Sequence, residues 1–156
     1  MKLKFLATLT LLTPLLFASP ARAENPAHVQ RLLSTGECGG CNLFGADLSG
    51  ADLSNTHLIG ADLREANLEG ANLTNANLEG ADVRGANLEG ANLTSAMVTN
   101  ADLKQANLDE VNFTNAQIYD ANVYEASMEG LVITNAEIFH TGIGIGGEDA
   151  AFPDWY

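Results

Sequence analysis

The chain has 156 residues, with 20 Asp and Glu against 7 Lys and Arg and a formal net charge of −13. Such an acidic balance excludes nucleic-acid backbone binding as a first expectation, because phosphates need cationic partners. It leaves a highly charged soluble surface, a cation-binding surface, or a surface for a basic partner.

Residues 1–23 have the form of a signal peptide. Lys2 and Lys4 precede an apolar run from Phe5 to Phe17, and Ala21 and Ala23 stand where a signal peptidase reads. The run is too short to span a bilayer, so cleavage after Ala23 and export are expected, with no stable membrane insertion afterwards. Cleavage removes Lys2, Lys4 and Arg22 but no acid, leaving 4 bases against 20 acids, a net charge of −16.

Residues 24–40 hold a predicted short helix in ENPAHVQRLLSTG. Asn25 suits its N-cap, Pro26 its first turn and Gly36 its end. Val29, Leu32 and Leu33 form its apolar face, which predicts a lid on whatever follows. The stretch ECGGCN brings Cys38 close to Cys41. In an exported chain this pair reads first as a disulfide, since two sulfurs cannot close a zinc site and no His follows at ligand spacing. A redox role stays open. No cofactor motif is present.

From Cys41 to His140 the chain divides into twenty consecutive five-residue units without an insertion. The middle residue of every unit is apolar, from Leu43 and Leu48 through Leu88 to Ile133 and Ile138. The residue two before it is Ala in sixteen units, the exceptions being Cys41, Thr56, Val111 and Leu131. The residue directly before the centre is mostly Asp or Asn. This A-[D/N]-L-x-x pattern resembles the pentapeptide-repeat family and covers 100 of the 133 residues that follow the signal. The resemblance implies an all-β solenoid, a right-handed quadrilateral β-helix of about five coils, each side one unit long. At the usual strand spacing of ~4.8 Å, five coils make a rod ~24 Å long with a core of Leu and Ala that leaves no room for a ligand.

A second period supports the four-sided coil independently. Residues twenty apart share their chemistry at the position after each centre. Face one carries Arg64, Arg84 and Lys104; face two carries Glu69, Glu89, Asp109 and Glu129. Face three carries Ser54, Thr74, Thr94, Thr114 and Thr134, followed by Asn at most corners, where positive φ is expected. Face four is mixed, with Ile59, Glu79, Thr99, Tyr119 and Phe139. The acidic column is a candidate cation or partner surface, although it is flat and lacks the concave cage that calcium requires. Asp62, Asp82 and Asp102 share a face with the basic column and predict mutual screening.

Residues 141–156 read as a Gly-rich joint and a C-terminal cap. Tyr119, Tyr124 and Phe139, together with Trp155, form a candidate aromatic contact patch. His28, His57 and His140 are expected at the surface, with no nucleophile–base set, no metal site and no pocket, so the chain is expected not to be an enzyme. The family resemblance points most toward exported members of cyanobacteria and of the chloroplast thylakoid lumen. The expected function is a non-enzymatic interaction scaffold for an unidentified protein partner in the thylakoid lumen or periplasm. A cation- or redox-responsive regulator is the alternative. An acidic DNA mimic that inhibits a topoisomerase, as some family members are, is opposed by the export signal and by the basic column.

Overall fold

The computed structural model describes residues 25–143. The signal-peptide reading and most of the C-terminal segment, including Trp155, lie outside them. Helix α1, Pro26–Thr35, is the first element. The Asn25 side chain accepts from the Ala27 N–H, Pro26 occupies the first turn, and Gly36 closes the helix in the left-handed region at φ 72°. These caps satisfy backbone groups that a ten-residue helix cannot satisfy internally. Leu32 enters the core and Val29 packs against it, whereas Leu33 points outward and is exposed.

After α1 the backbone enters a parallel ladder in which each unit pairs with the unit twenty residues later. Bridges run from Glu37↔His57 and Asn42↔Asp62 through to Asn112↔Val132. The pairing is extensive enough on one side to form two short strands, β1 (Gln117–Tyr119) and β2 (Glu137–Phe139), in parallel register. Each link uses both directions of the backbone: Asp62 N–H donates to Cys41 C=O at 2.8 Å, and Leu43 N–H donates to Asp62 C=O at 2.7 Å. The ladder begins one unit before Cys41, so Cys38 sits at a centre position and Cys41 at the small inward position of the next unit. Both are buried and joined by a disulfide.

Each side ends in a tight turn. The N–H of the next inward residue commonly bonds back to the centre carbonyl, as Ala46 to Leu43 at 3.0 Å and Ala91 to Leu88 at 2.8 Å. At Thr56 the side-chain hydroxyl donates to Leu53 C=O instead, at 2.7 Å, which satisfies the one polar side chain buried among the described residues. The residue after the turn's first position takes positive φ at every fifth position from 40 to 140. Asn55, Asn75, Asn115 and Asn135 meet this as their side chains predict. Glu65, Glu110 and Glu125 adopt it too, at φ 57–58°, so the fold imposes the corner whatever residue is present.

Inside, the centres and their Ala neighbours form one continuous core from Leu32 to Ile143. The small residue is required because it faces a Leu across a tube only one unit wide. The final coil departs from this pattern. Met128 and Ile138 are half-buried and Ile133 is 39% exposed, since no coil among the described residues lies above them. Ile143 turns in at this end and is buried.

Two stability tests follow from this packing. Leu88→Ala should lower unfolding stability by about 2–5 kcal/mol, and Leu88→Asp should abolish soluble expression, whereas the outward Glu89→Lys should leave the denaturation midpoint nearly unchanged. Gly70 has φ +61° with nothing within 4 Å of an added Cβ. Gly70→Val should therefore cost about 1–2 kcal/mol through backbone strain alone, and Gly70→Asn should cost clearly less in the same denaturant titration.

Candidate functional site

Where the position before the centre is the Asp or Asn of the repeat pattern, it commonly has a definite role. Its side-chain oxygen accepts the backbone N–H two residues on, as Asn67 Oδ1 from Glu69 N–H and Asn92 Oδ1 from Thr94 N–H. This local bond holds the chain as it enters each corner. The same side chains also bond between coils: Asn72 Nδ2 donates to Asp52 Oδ1, Asn107 Nδ2 to Asn87 Oδ1 and Asn122 Nδ2 to Asp102 Oδ1. The result is an amide ladder parallel to the backbone ladder.

Face one is a charge ladder. Arg64 makes a bidentate pair with Asp62, at 2.7 and 2.6 Å, and its Nε also lies 3.5 Å from Asp82. Arg84 repeats this with Asp82 and reaches Asp102 at 3.5 Å. The hydrogen bond from Arg84 holds the Asp82 carboxyl below the usual carboxylate range, and Asp82 in turn raises the Arg84 guanidinium. Lys104 Nζ lies over the Tyr124 ring, 5.2 Å from its centroid. The expected basic column is therefore present but internally consumed.

Face two brings Glu69, Glu89, Asp109 and Glu129 into one line, as expected from the period of twenty. Their repulsion is relieved by donors from the chain itself. Asn87 Nδ2 reaches Glu69 at 3.4 Å, Asn107 Nδ2 reaches Glu89 at 3.1 Å, and Glu129 N–H donates to Asp109 at 2.7 Å. Among the described residues no group of three or more His, Cys, Asp or Glu is placed to hold a metal ion. On face three the Thr74, Thr94 and Thr114 hydroxyls donate to Asn72, Asn92 and Asn112 at 2.6–2.7 Å, so they too are engaged internally.

Face four lacks this device. Its positions before the centre read Glu37, His57, Asn77, Met97, Gln117 and Glu137, and only Asn77 makes the local corner bond, to Glu79 N–H. Ile59 is 45% exposed, Met97 38% and Phe139 59%. Phe139 stacks on Tyr119, with ring centroids 5.5 Å apart, and the Tyr119 hydroxyl donates to Glu137. The expected aromatic patch is thus divided. Tyr119 and Phe139 belong to face four, while Tyr124 lies on face one above Lys104. The residues twenty apart that interrupt the Asp/Asn column were a visible signal for this face that the repeat pattern alone obscures.

The histidines also differ from a uniform surface assignment. His57 and His140 are exposed on face four and pair with Glu37 and Asp120, each at 3.1 Å. His28 is half-buried, and its Nδ1 accepts the Asn42 N–H at 2.9 Å, tying α1 to the first coil directly over the disulfide. A groove on the outer side of α1, lined by Pro26, Val29, Gln30, Leu33 and Ser34, contains no acid or base. No helix among the described residues is long and apolar enough to cross a membrane.

The model for "Pentapeptide repeats" matches residues 41–80, 71–109 and 91–130. The chain belongs to the pentapeptide-repeat family. The fold of that family is a right-handed quadrilateral β-helix, which agrees with the twenty-residue register described above. A pentapeptide repeat protein of the Arabidopsis thaliana thylakoid lumen is 41% identical over 59% of this chain, with a TM-score of 0.58. The chain spans 64% of that protein's length. A pentapeptide repeat protein from the cyanobacterium Cyanothece is 30% identical over 72% of this chain and 98% of its own, with a TM-score of 0.60. One from Nostoc is 29% identical over 70% of this chain and 94% of its own, with a TM-score of 0.54. No curated protein matches the chain.

Two consequences can be measured. Asp82→Asn removes a carboxylate shared by Arg64 and Arg84 and should lower the melting temperature slightly at neutral pH. Because the native Asp82 carboxyl is depressed, the wild-type advantage should be complete above about pH 4, the ordinary carboxylate range, and should vanish as acidification passes through the depressed value. For the N-terminal end, the buried disulfide should resist reduction by mild thiols in native buffer. His28→Ala, which frees α1 from Asn42, should make the two cysteines label faster after reductant, without altering the far-UV spectrum of the coils.

Proposed function

We propose that this pentapeptide-repeat protein is a non-enzymatic, exported interaction scaffold acting in a thylakoid lumen or periplasm. Its rod would comprise about five coils, closed at one end by α1. One observation carries the reading: the interior is filled by Leu and Ala, while the polar side chains of three faces bond chiefly to one another. Little on those faces is left over for chemistry, and the remaining variation is concentrated on a surface. The likeness to a thylakoid-lumen protein supports the compartment, as does the signal-like sequence of residues 1–23.

The cation-responsive reading is weakened by the amide donors that already serve the acidic column. The redox-responsive reading meets a disulfide buried beneath α1. A DNA mimic is opposed by the same export signal and by the Asp–Arg ladder of face one.

The proposal predicts that the expressed full chain is recovered from an exported fraction with Glu24 as its N-terminus. Crosslinking in that fraction should capture a protein partner. Retention in the cytoplasm, or recovery of monomer alone under gentle crosslinking, would overturn it.

A further inference from the structure

We infer that face four is the docking surface, and that it takes a basic amphipathic helix of a protein partner lying along the rod axis. This rests on the scaffold reading and names the surface and the chemistry of its partner. Three kinds of observation converge on it.

The first is the interruption of the ladders. Along the rod, Ile59, Met97, Tyr119 and Phe139 replace the polar columns of the other faces, and three of the four are substantially exposed. These aliphatic and aromatic groups have no role in the core and contribute nothing to the amide ladder; among the described coils the other exposed large apolar groups are Tyr124, over Lys104, and Val132 and Ile133 of the last coil. Met97, Tyr119 and Phe139 follow on successive coils, and Ile59 stands two coils before Met97, across Asn77 and Glu79; apolar groups gathered on one soluble face mark a contact site.

The second is charge. The units that build face four, GECGG, THLIG, ANLEG, AMVTN, AQIYD and AEIFH, contain Glu37, Glu79, Asp120 and Glu137 and no Lys or Arg. Face one neutralises its acids with arginines; on face four Glu37 and Asp120 meet only the imidazoles of His57 and His140, Glu137 meets the Tyr119 hydroxyl, and no permanently charged base is present. An occupant with apolar and basic groups is complementary. A second copy of this chain, at net charge −13, is not. The chain's own residues 144–156 carry Glu148, Asp149 and Asp154 and no base, so they have the wrong sign as well.

The third is spacing. The apolar groups lie at whole multiples of one coil, ~4.8 Å, along the axis: two coils from Ile59 to Met97, then one to Tyr119 and one to Phe139. A helix laid along the axis advances 5.4 Å per turn, so over the four coils from Ile59 to Phe139 the two drift apart by only about 2–3 Å. An extended strand repeats its side-chain face every ~6.7 Å, and over the same four steps it would drift about 8 Å, more than one full coil. Side chains of a helix can stay in register with the strip, and those of a strand cannot. The strip of ~19 Å corresponds to between three and four helical turns.

The test uses the full mature chain and a synthetic Leu/Lys peptide of four helical turns, with Leu at i, i+3, i+4 and i+7. A scrambled peptide of the same composition serves as control. Calorimetry should show saturable binding of the amphipathic peptide and at least tenfold weaker binding of the scrambled one. The exposed-residue variant Ile59→Ser/Met97→Ser/Phe139→Ser should lose at least tenfold in affinity, and Glu79→Lys should weaken binding more than Glu89→Lys on face two. Equal binding of the scrambled peptide, or equal loss from the two charge reversals, would show general electrostatic attraction and overturn the inference. A photo-crosslinker at position 59, compared with one at position 89, separates this surface from the scaffold reading in the exported fraction. A partner captured only from position 89 removes face four and leaves the scaffold. A partner captured at 59 supports both, and capture at neither site removes both. Crosslinking from position 59 to lipid alone also counts against the proposal.

Discussion

The structure depends on one constraint: every fifth residue from 40 to 140 must turn the chain with positive φ so that the backbone can meet itself twenty residues later. The backbone bonds made between coils offset the cost of that corner. Asp62, for instance, donates to one neighbouring coil and accepts from it, and the pattern recurs along the rod. Glu65 and Glu110 hold the left-handed conformation that glycine takes elsewhere, which shows that the ladder dominates the local preference. Once the corners are set, the centre of each side has only one direction to point, and the core follows.

The same geometry determines what the surface can do. Stacking in register places identical side chains close together, which is unfavourable for like charges and favourable for amides. The protein uses both facts. Asn side chains propagate a hydrogen-bonded ladder up faces two and three, and arginines bridge successive aspartates on face one. These arrangements stabilise the rod and occupy its polar groups. Face four breaks that economy with Ile59, Met97, Tyr119 and Phe139, and a departure from a repeating rule that costs the fold no core contact is where function is best sought.

The N-terminal end shows a second kind of dependence. Here α1 buries Leu32, the disulfide joins two inward positions, and His28 bonds to the backbone of the first coil. Apolar, covalent and polar contacts thus converge where a β-helix would otherwise expose its core and unpaired backbone. At the opposite end the last coil leaves Ile133 and Val132 exposed among the described residues. The two ends are built differently, although the repeat between them is uniform.

Much of this was legible in the amino-acid sequence because the repeat is local and strict. The period of five determined which residues point inward, and the period of twenty determined which share a face; Leu88, Arg84 and Glu89 lie where these periods place them. The Asn corners followed from side-chain tolerance of positive φ. Other features required the third dimension. The period of twenty already separates Tyr124 from Tyr119, but only the stacking sets its ring 5.2 Å from Lys104 Nζ. His28 acquires a partner only because α1 folds back over Asn42. The acidic column appears unrelieved in sequence, and only the stacking brings Asn87 and Asn107 to Glu69 and Glu89. A repeating sequence determines its own shape, since each unit obeys the same steric rule. The relations between its faces and at its ends are decided by contacts between residues far apart in the chain.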